Sequence, residues 1–184
     1  IDVRGYGDKM LLTHDPISDP SKHDSLDVYL QNFHHAFVIF NVKEAGYEQR
    51  VIDLAAKFNI PKTNYFLLDV EFPYLYRASR KEGVREIAVR YSEAEPIEMT
   101  EAQMVNGKPM VDWVWIDTNT ILPLDEDIVN RLKPFKTCLV CPDRWGRPQD
   151  IKPYIKKMES LNFTLDAVMT SEECIPTWEE MCNK

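Results

Sequence analysis

Ile1–Pro16 reads IDVRGYGDKMLLTHDP and holds two short apolar strands around a turn. Ile1–Arg4 alternates apolar and charged side chains with a strand's period. Gly5–Asp8 has turn chemistry, and Met10–Thr13 is a second apolar run that delivers His14 and Asp15. Asp2, Arg4, His14 and Asp15 are thereby predicted to lie close together. A carboxylate, a cation and an imidazole are what acid/base or metal-assisted attack on an anionic ester requires.

Outward from this segment, strand and helix patterns alternate. Leu26, Tyr29, Leu30 and Phe33 recur at helical spacing, and Ala36–Val42 is a nearly continuous apolar run of the kind buried on both faces. Val51, Leu54, Ala55 and Phe58 mark a helix that Pro61 stops. Further strands are predicted at Tyr65–Val70, Ile87–Tyr91, Trp113–Ile116, Thr137–Cys141 and Leu165–Met169. Helices are predicted near Leu75–Ser79, Thr100–Met104, Ile128–Leu132, Ile151–Leu161 and Pro176–Met181. The seven strand centres, Val3, Phe40, Leu68, Val89, Trp115, Val140 and Val168, are 37, 28, 21, 26, 25 and 28 residues apart and form the expected core. That is the rhythm of β-α units. With right-handed crossovers it leaves two α/β architectures, a TIM-barrel-like (β/α) barrel or an open doubly wound parallel sheet. No Gly-rich phosphate-binding turn follows any strand.

A chain of 184 residues fits one domain, 1–184, and its 44% hydrophobic and 28% charged content is that of a globular protein rather than a disordered one. Thirty acidic against 22 basic residues give a net charge of -8, which argues against nucleic acid or an anionic membrane as a partner. No apolar run approaches the roughly 20 residues of a membrane span. Cys138 and Cys141 are three apart in a strand, so they face opposite ways and are expected to be buried thiols rather than zinc ligands. Free cysteines fit a reducing compartment, with the cytoplasm favoured.

The opening segment resembles that of the glycerophosphodiester phosphodiesterases, a family of phospholipase-C-like phosphodiesterases built as TIM barrels. The family's pattern is acidic-x-Asp-Val, a short turn with Asp-Gly, then an apolar strand ending in His-Asp. Asp2-Val3, Asp8-Lys9 and Leu11-Leu12-Thr13-His14-Asp15 meet it in register. The resemblance implies a metal-dependent phosphodiester hydrolase working on a small anionic substrate at a barrel mouth. It also implies that the family's first βα unit, with its His-Arg pair, and a glutamate two residues before Asp2 would precede Ile1. A barrel lacking that unit would have open edges, and self-association across them is expected.

The same resemblance implies residue roles. His14 would be the general acid or base, Asp2 a ligand of Mg2+ or Ca2+, and Lys43, with Arg4 and Arg90, would meet the phosphate. Where the family has Glu-x-Lys, this chain has Asn41-Val42-Lys43, so an amide stands in place of a carboxylate and a weaker divalent site is expected. Asp15, Asn41, Asp69, Glu71, Asp117 and Asp143 complete the expected mouth, because strand ends converge there in a barrel. Charges beside apolar strands need partners or solvent, so a salt-bridged rim without function has the same signature. Two alternatives to an enzyme therefore stand beside it. One is a degenerate barrel that binds an anionic small molecule without turnover, and the other is a chain whose activity belongs to a longer protein. His34-His35, at a strand entrance, is expected to be structural or exposed. Trp145, between Arg144 and Arg147, would either cover a ligand or pack on a helix.

Overall fold

In the computed structural model, which describes residues 1–182 and only the backbone of 180–182, the opening segment forms an antiparallel hairpin. β1 (Asp2–Tyr6) and β2 (Lys9–Leu12) pair with Val3 opposite Leu12 and Tyr6 opposite Lys9. Gly7 takes φ 54° in the turn, a conformation that costs glycine little. Ser25 accepts a hydrogen bond from Val28 N–H and so starts α1 (Leu26–Gln31), which buries Leu26 and Leu30. β3 (Val38–Val42), α2 (Glu48–Lys57), β4 (Tyr65–Leu68) and α3 (Phe72–Arg77) follow. A π-helical turn, Ala78–Glu82, extends α3 and ends at Gly83, whose φ of 71° closes it.

The chain divides into two compact units, Ile1–Ala88 and Val89 onward. In the first, the strand order is β2-β1-β3-β4, with β1, β3 and β4 parallel and β2 antiparallel at the edge. Asp2 is in register with Asn41, and Asn41 with Leu68. Because alternate residues share a face, Asp2, Arg4, Asn41 and Lys43 leave one side of the sheet. Val3, Phe40 and Val42 leave the other and are buried. β4 is buried at every position, as its unbroken apolar run requires.

The second unit contains all but the first residue of β5 (Ala88–Tyr91), then α4 (Ile97–Glu101), β6 (Met104–Val105), β7 (Lys108–Pro109), β8 (Trp113–Ile116), α5 (Glu126–Leu132), β9 (Lys136–Val140), α6 (Ile151–Ser160), β10 (Ala167–Met169) and α7 (Ile175–Cys182). Its main sheet has the order β10-β9-β8-β5, and β8, β9 and β10 run parallel. β8 is wholly buried, and Asp125 caps α5 by accepting from Ile128 N–H. Cys138 and Cys141 are free and buried; burial pushes the Cys138 thiol up to about 12. The side chain of Cys182 lies outside the described residues.

All seven predicted strands are present, and the class is α/β with parallel and mixed sheets. Neither sheet closes into a barrel among the described residues. Three local expectations are corrected. The helix expected at Thr100–Met104 lies at Ile97–Glu101, because Pro96, at φ -66°, starts it earlier. Met104–Pro109 is instead a hairpin, β6 with β7, turned by Asn106 and Gly107 at φ 51° and 74°. Val89 and Val168 are only half-buried, since β5 and β10 are the edge strands of their sheet. No helix among the described residues is long and apolar enough to cross a membrane.

Candidate functional site

The charged residues of the opening segment are organised by Arg4. Its Nε and Nη2 both donate to the carbonyl of His14, at 3.1 and 3.0 Å, and its Nη1 donates to Glu44 Oε1 at 2.9 Å. Glu44 Oε2 accepts from Gly5 N–H, so the guanidinium ties the end of β2 to the residues after β3. This planar fork suits Arg and could not be reproduced by Lys. Arg4 thus has three donors committed within the protein, and they hold the backbone on which His14 is carried.

The His14 imidazole is itself 72% exposed, with Nδ1 3.0 Å from Asp15 Oδ1. The hydrogen bond from His14, reinforced by its charge, holds the Asp15 carboxyl below the ordinary carboxylate range. That contact engages Nδ1 and orients the ring. Lys43, which follows β3, has its Nζ 3.2 Å from Asp2 Oδ1, with side chains 17% and 34% exposed respectively. Asn41, in register with Asp2, has its Oδ1 buried without a hydrogen-bond donor. Asp69, in the left-handed region at φ 60°, and Glu71 are exposed residues following β4.

In the second unit, Arg90 Nη1 donates to Asp117 Oδ2 at 2.5 Å, and Trp115 Nε1 donates to the same oxygen at 3.2 Å. The Asp117 side chain is only 5% exposed. Asp143 accepts from Thr170 Oγ1 and from Ser171 N–H. Burial pushes its carboxyl up, but hydrogen bonds from Cys141, Ser171 and Thr170 outweigh this and hold it low. Arg147 donates to the carbonyls of Thr118 and Thr120 and to Asp150, while Trp145 is exposed. His34 and His35 are exposed, with His35 stacked on Tyr29.

The predicted residues therefore fall into separate local groups: Arg4 with His14 and Asp15, Asp2 with Asn41 and Lys43, and Arg90 with Asp117. Sequence reading missed Glu44, Trp115 and Thr170. Glu44 had a signal, since it directly follows Lys43 at the end of a buried strand and a carboxylate there needs a partner. Trp115 had none, because an indole inside an apolar strand reads as core.

A site for Mg2+ or Ca2+ needs several oxygen ligands with net negative charge. Here Asp2 supplies one carboxylate, which Lys43 already neutralises, and Asn41 offers an uncharged oxygen. No protein-family model matches the chain, and no curated protein matches it.

Proposed function

We propose that the chain is a phosphodiester hydrolase with a TIM-barrel-like fold, acting on a small substrate of the glycerophosphodiester type. The observation that carries this reading is the exposed His14 imidazole, oriented by Asp15 on a backbone that Arg4 clamps. Strand order supports the barrel component. Within each unit the parallel strands neighbour one another in chain order, as successive units of a barrel do, whereas a doubly wound sheet reverses order at a switch point.

In this mechanism Lys43 draws the phosphodiester anion toward the sheet. A hydroxyl or water oxygen attacks phosphorus, and its proton passes to His14 Nε2 as the new P–O bond forms. The bond to the leaving alcohol then breaks, and the alkoxide takes a proton from His14 or solvent. An imidazole does this well at neutral pH because its ordinary pKa lies near ~6.5. Arg4 acts by positioning His14, and no step is routed through a metal.

Hydrolysis of bis(4-nitrophenyl) phosphate and of glycerophosphocholine tests the reading. His14→Ala is expected to lower the rate by about 100-fold. An unchanged rate would remove His14 from the chemistry. A second reading, binding of a small anion without turnover, is favoured by Asn41, which supplies no charge where the resembling family has a carboxylate. Phosphate binding with no hydrolysis of either substrate would establish it over the first.

A further inference from the structure

We infer that Glu44 is a positioning residue for His14 and acts through Arg4, so that the turn after β3 sets where the imidazole stands. β3 keeps its register with β1 as far as Lys43, whose N–H donates to the Val3 carbonyl at 3.0 Å. One residue further on the Glu44 side chain takes over. Its Oε2 accepts from Gly5 N–H at 3.2 Å and its Oε1 from Arg4 Nη1 at 2.9 Å. Arg4 in turn holds the His14 carbonyl through Nε and Nη2, at 3.1 and 3.0 Å. β2 ends at Leu12, so His14 lies past the strand and its carbonyl is held by this side chain rather than by a ladder.

The guanidinium is a rigid plane, so fixing Nη1 at Glu44 also fixes the plane in which the other two donors reach His14. Arg4 is largely buried, which strengthens each of these charge-assisted bonds relative to an open surface. Tyr47, three residues beyond Glu44, lays its ring on Gly5 and ties the same turn to β1 at a second point. The carboxylate is specifically required, because N–H donors from two consecutive residues face it and it has an oxygen for each. An amide at position 44 has one oxygen and one NH2 group, so it can accept from Arg4 or from Gly5 but turns a donor toward the other. Without the Glu44 anchor the guanidinium can swing and the His14–Asp15 peptide is released. The consequence for catalysis rests on the phosphodiester reading; the coupling of Glu44 to the His14 backbone does not.

The experiment pairs two readouts on the wild-type chain, Glu44→Ala and the near-isosteric Glu44→Gln, with circular dichroism to confirm that each is folded. The first is 15N relaxation of the Asp15 amide, which belongs to the same peptide unit as the clamped His14 carbonyl. Its order parameter is expected to be about 0.85 in the wild type and below about 0.6 in Glu44→Ala, with Glu44→Gln between them. The second is steady-state hydrolysis of bis(4-nitrophenyl) phosphate. Glu44→Ala is expected to lower kcat by at least about tenfold and to change KM by less than about twofold, because a misplaced imidazole slows proton transfer without weakening binding. In the His14→Ala background there is no imidazole to position, and adding Glu44→Ala should change the residual rate by less than about twofold. An Asp15 amide as ordered in both folded Glu44 variants as in the wild type would overturn the inference. So would an equal loss of rate with and without His14. Loss of order at Asp15 in variants of a wild type that hydrolyses nothing would uphold the coupling and count against the phosphodiesterase reading alone.

Discussion

The two units handle charge at their strand ends in opposite ways. In the first, Asp2 and Lys43 are partly open to solvent, Arg4 is spent on a backbone carbonyl and Glu44, and the His14 imidazole is left outside. In the second, Asp117 is drawn inside and shared by Arg90 and Trp115, while Asp143 is taken up by a hydroxyl, a thiol and a backbone N–H. The same residue types at the same kind of position thus stay open to solvent in one unit and are paired inside the protein in the other. What separates them is burial, because a buried carboxylate must be paired to exist as an ion, and pairing uses the lone pairs that chemistry would need.

The sharpest way to break this comparison is to remove one carboxylate from each unit. Asp117→Ala is expected to cost about 2–4 kcal/mol, since it removes an acceptor shared by Arg90 and the buried Trp115 N–H. Asp2→Asn is expected to cost about 1 kcal/mol or less, because its pair with Lys43 is partly solvated. Urea denaturation of both variants measures the contrast. Equal losses would mean that burial does not divide the two units as argued.

Within the first unit, Gly5 sharpens the point that the opening segment is fitted to its neighbours. A Cβ built there would lie 2.0 Å from Tyr47 Cζ, so the tyrosine ring rests directly on the glycine backbone. Gly5→Ala is expected to destabilise by about 1–3 kcal/mol through overpacking, measured by the same denaturation. In Gly5→Ala/Tyr47→Ala the cost of the added methyl should largely vanish. If it persists, the ring is not what excludes a side chain at Gly5.

The smallest effect concerns pH. Asp143 has a folded-state pKa below its unfolded value, so it contributes stability that is fully present above the unfolded value, near ~3.9, and is lost as pH falls through the folded one. The stability difference between wild type and Asp143→Asn should therefore shrink as pH drops below about 4. A difference constant from neutral pH to about 2.5 would show that Asp143 does not act as a hydrogen-bonded carboxylate.

Much of this molecule is determined locally. Alternation in Ile1–Arg4, the unbroken apolar runs at β3, β4, β8 and β9, and the Ser25 and Asp125 caps specify their elements, because hydrophobic period and capping chemistry act within a few residues. The Asn106-Gly107 turn belongs with them: its signal was present, although a helix was expected nearby. The seven-strand α/β rhythm was equally legible. Tertiary structure alone decided what each charge does. The sequence does not say that Arg4 reaches back to the His14 carbonyl, that Glu44 shares it, or that an indole inside β8 serves Asp117. Arg4 and Glu44 are 40 residues apart and meet only when β1 and β3 are in register, while Trp115 reaches Asp117, two residues on, within the same stretch of chain. Residue type sets what chemistry is available, while register and burial set how much of it remains free.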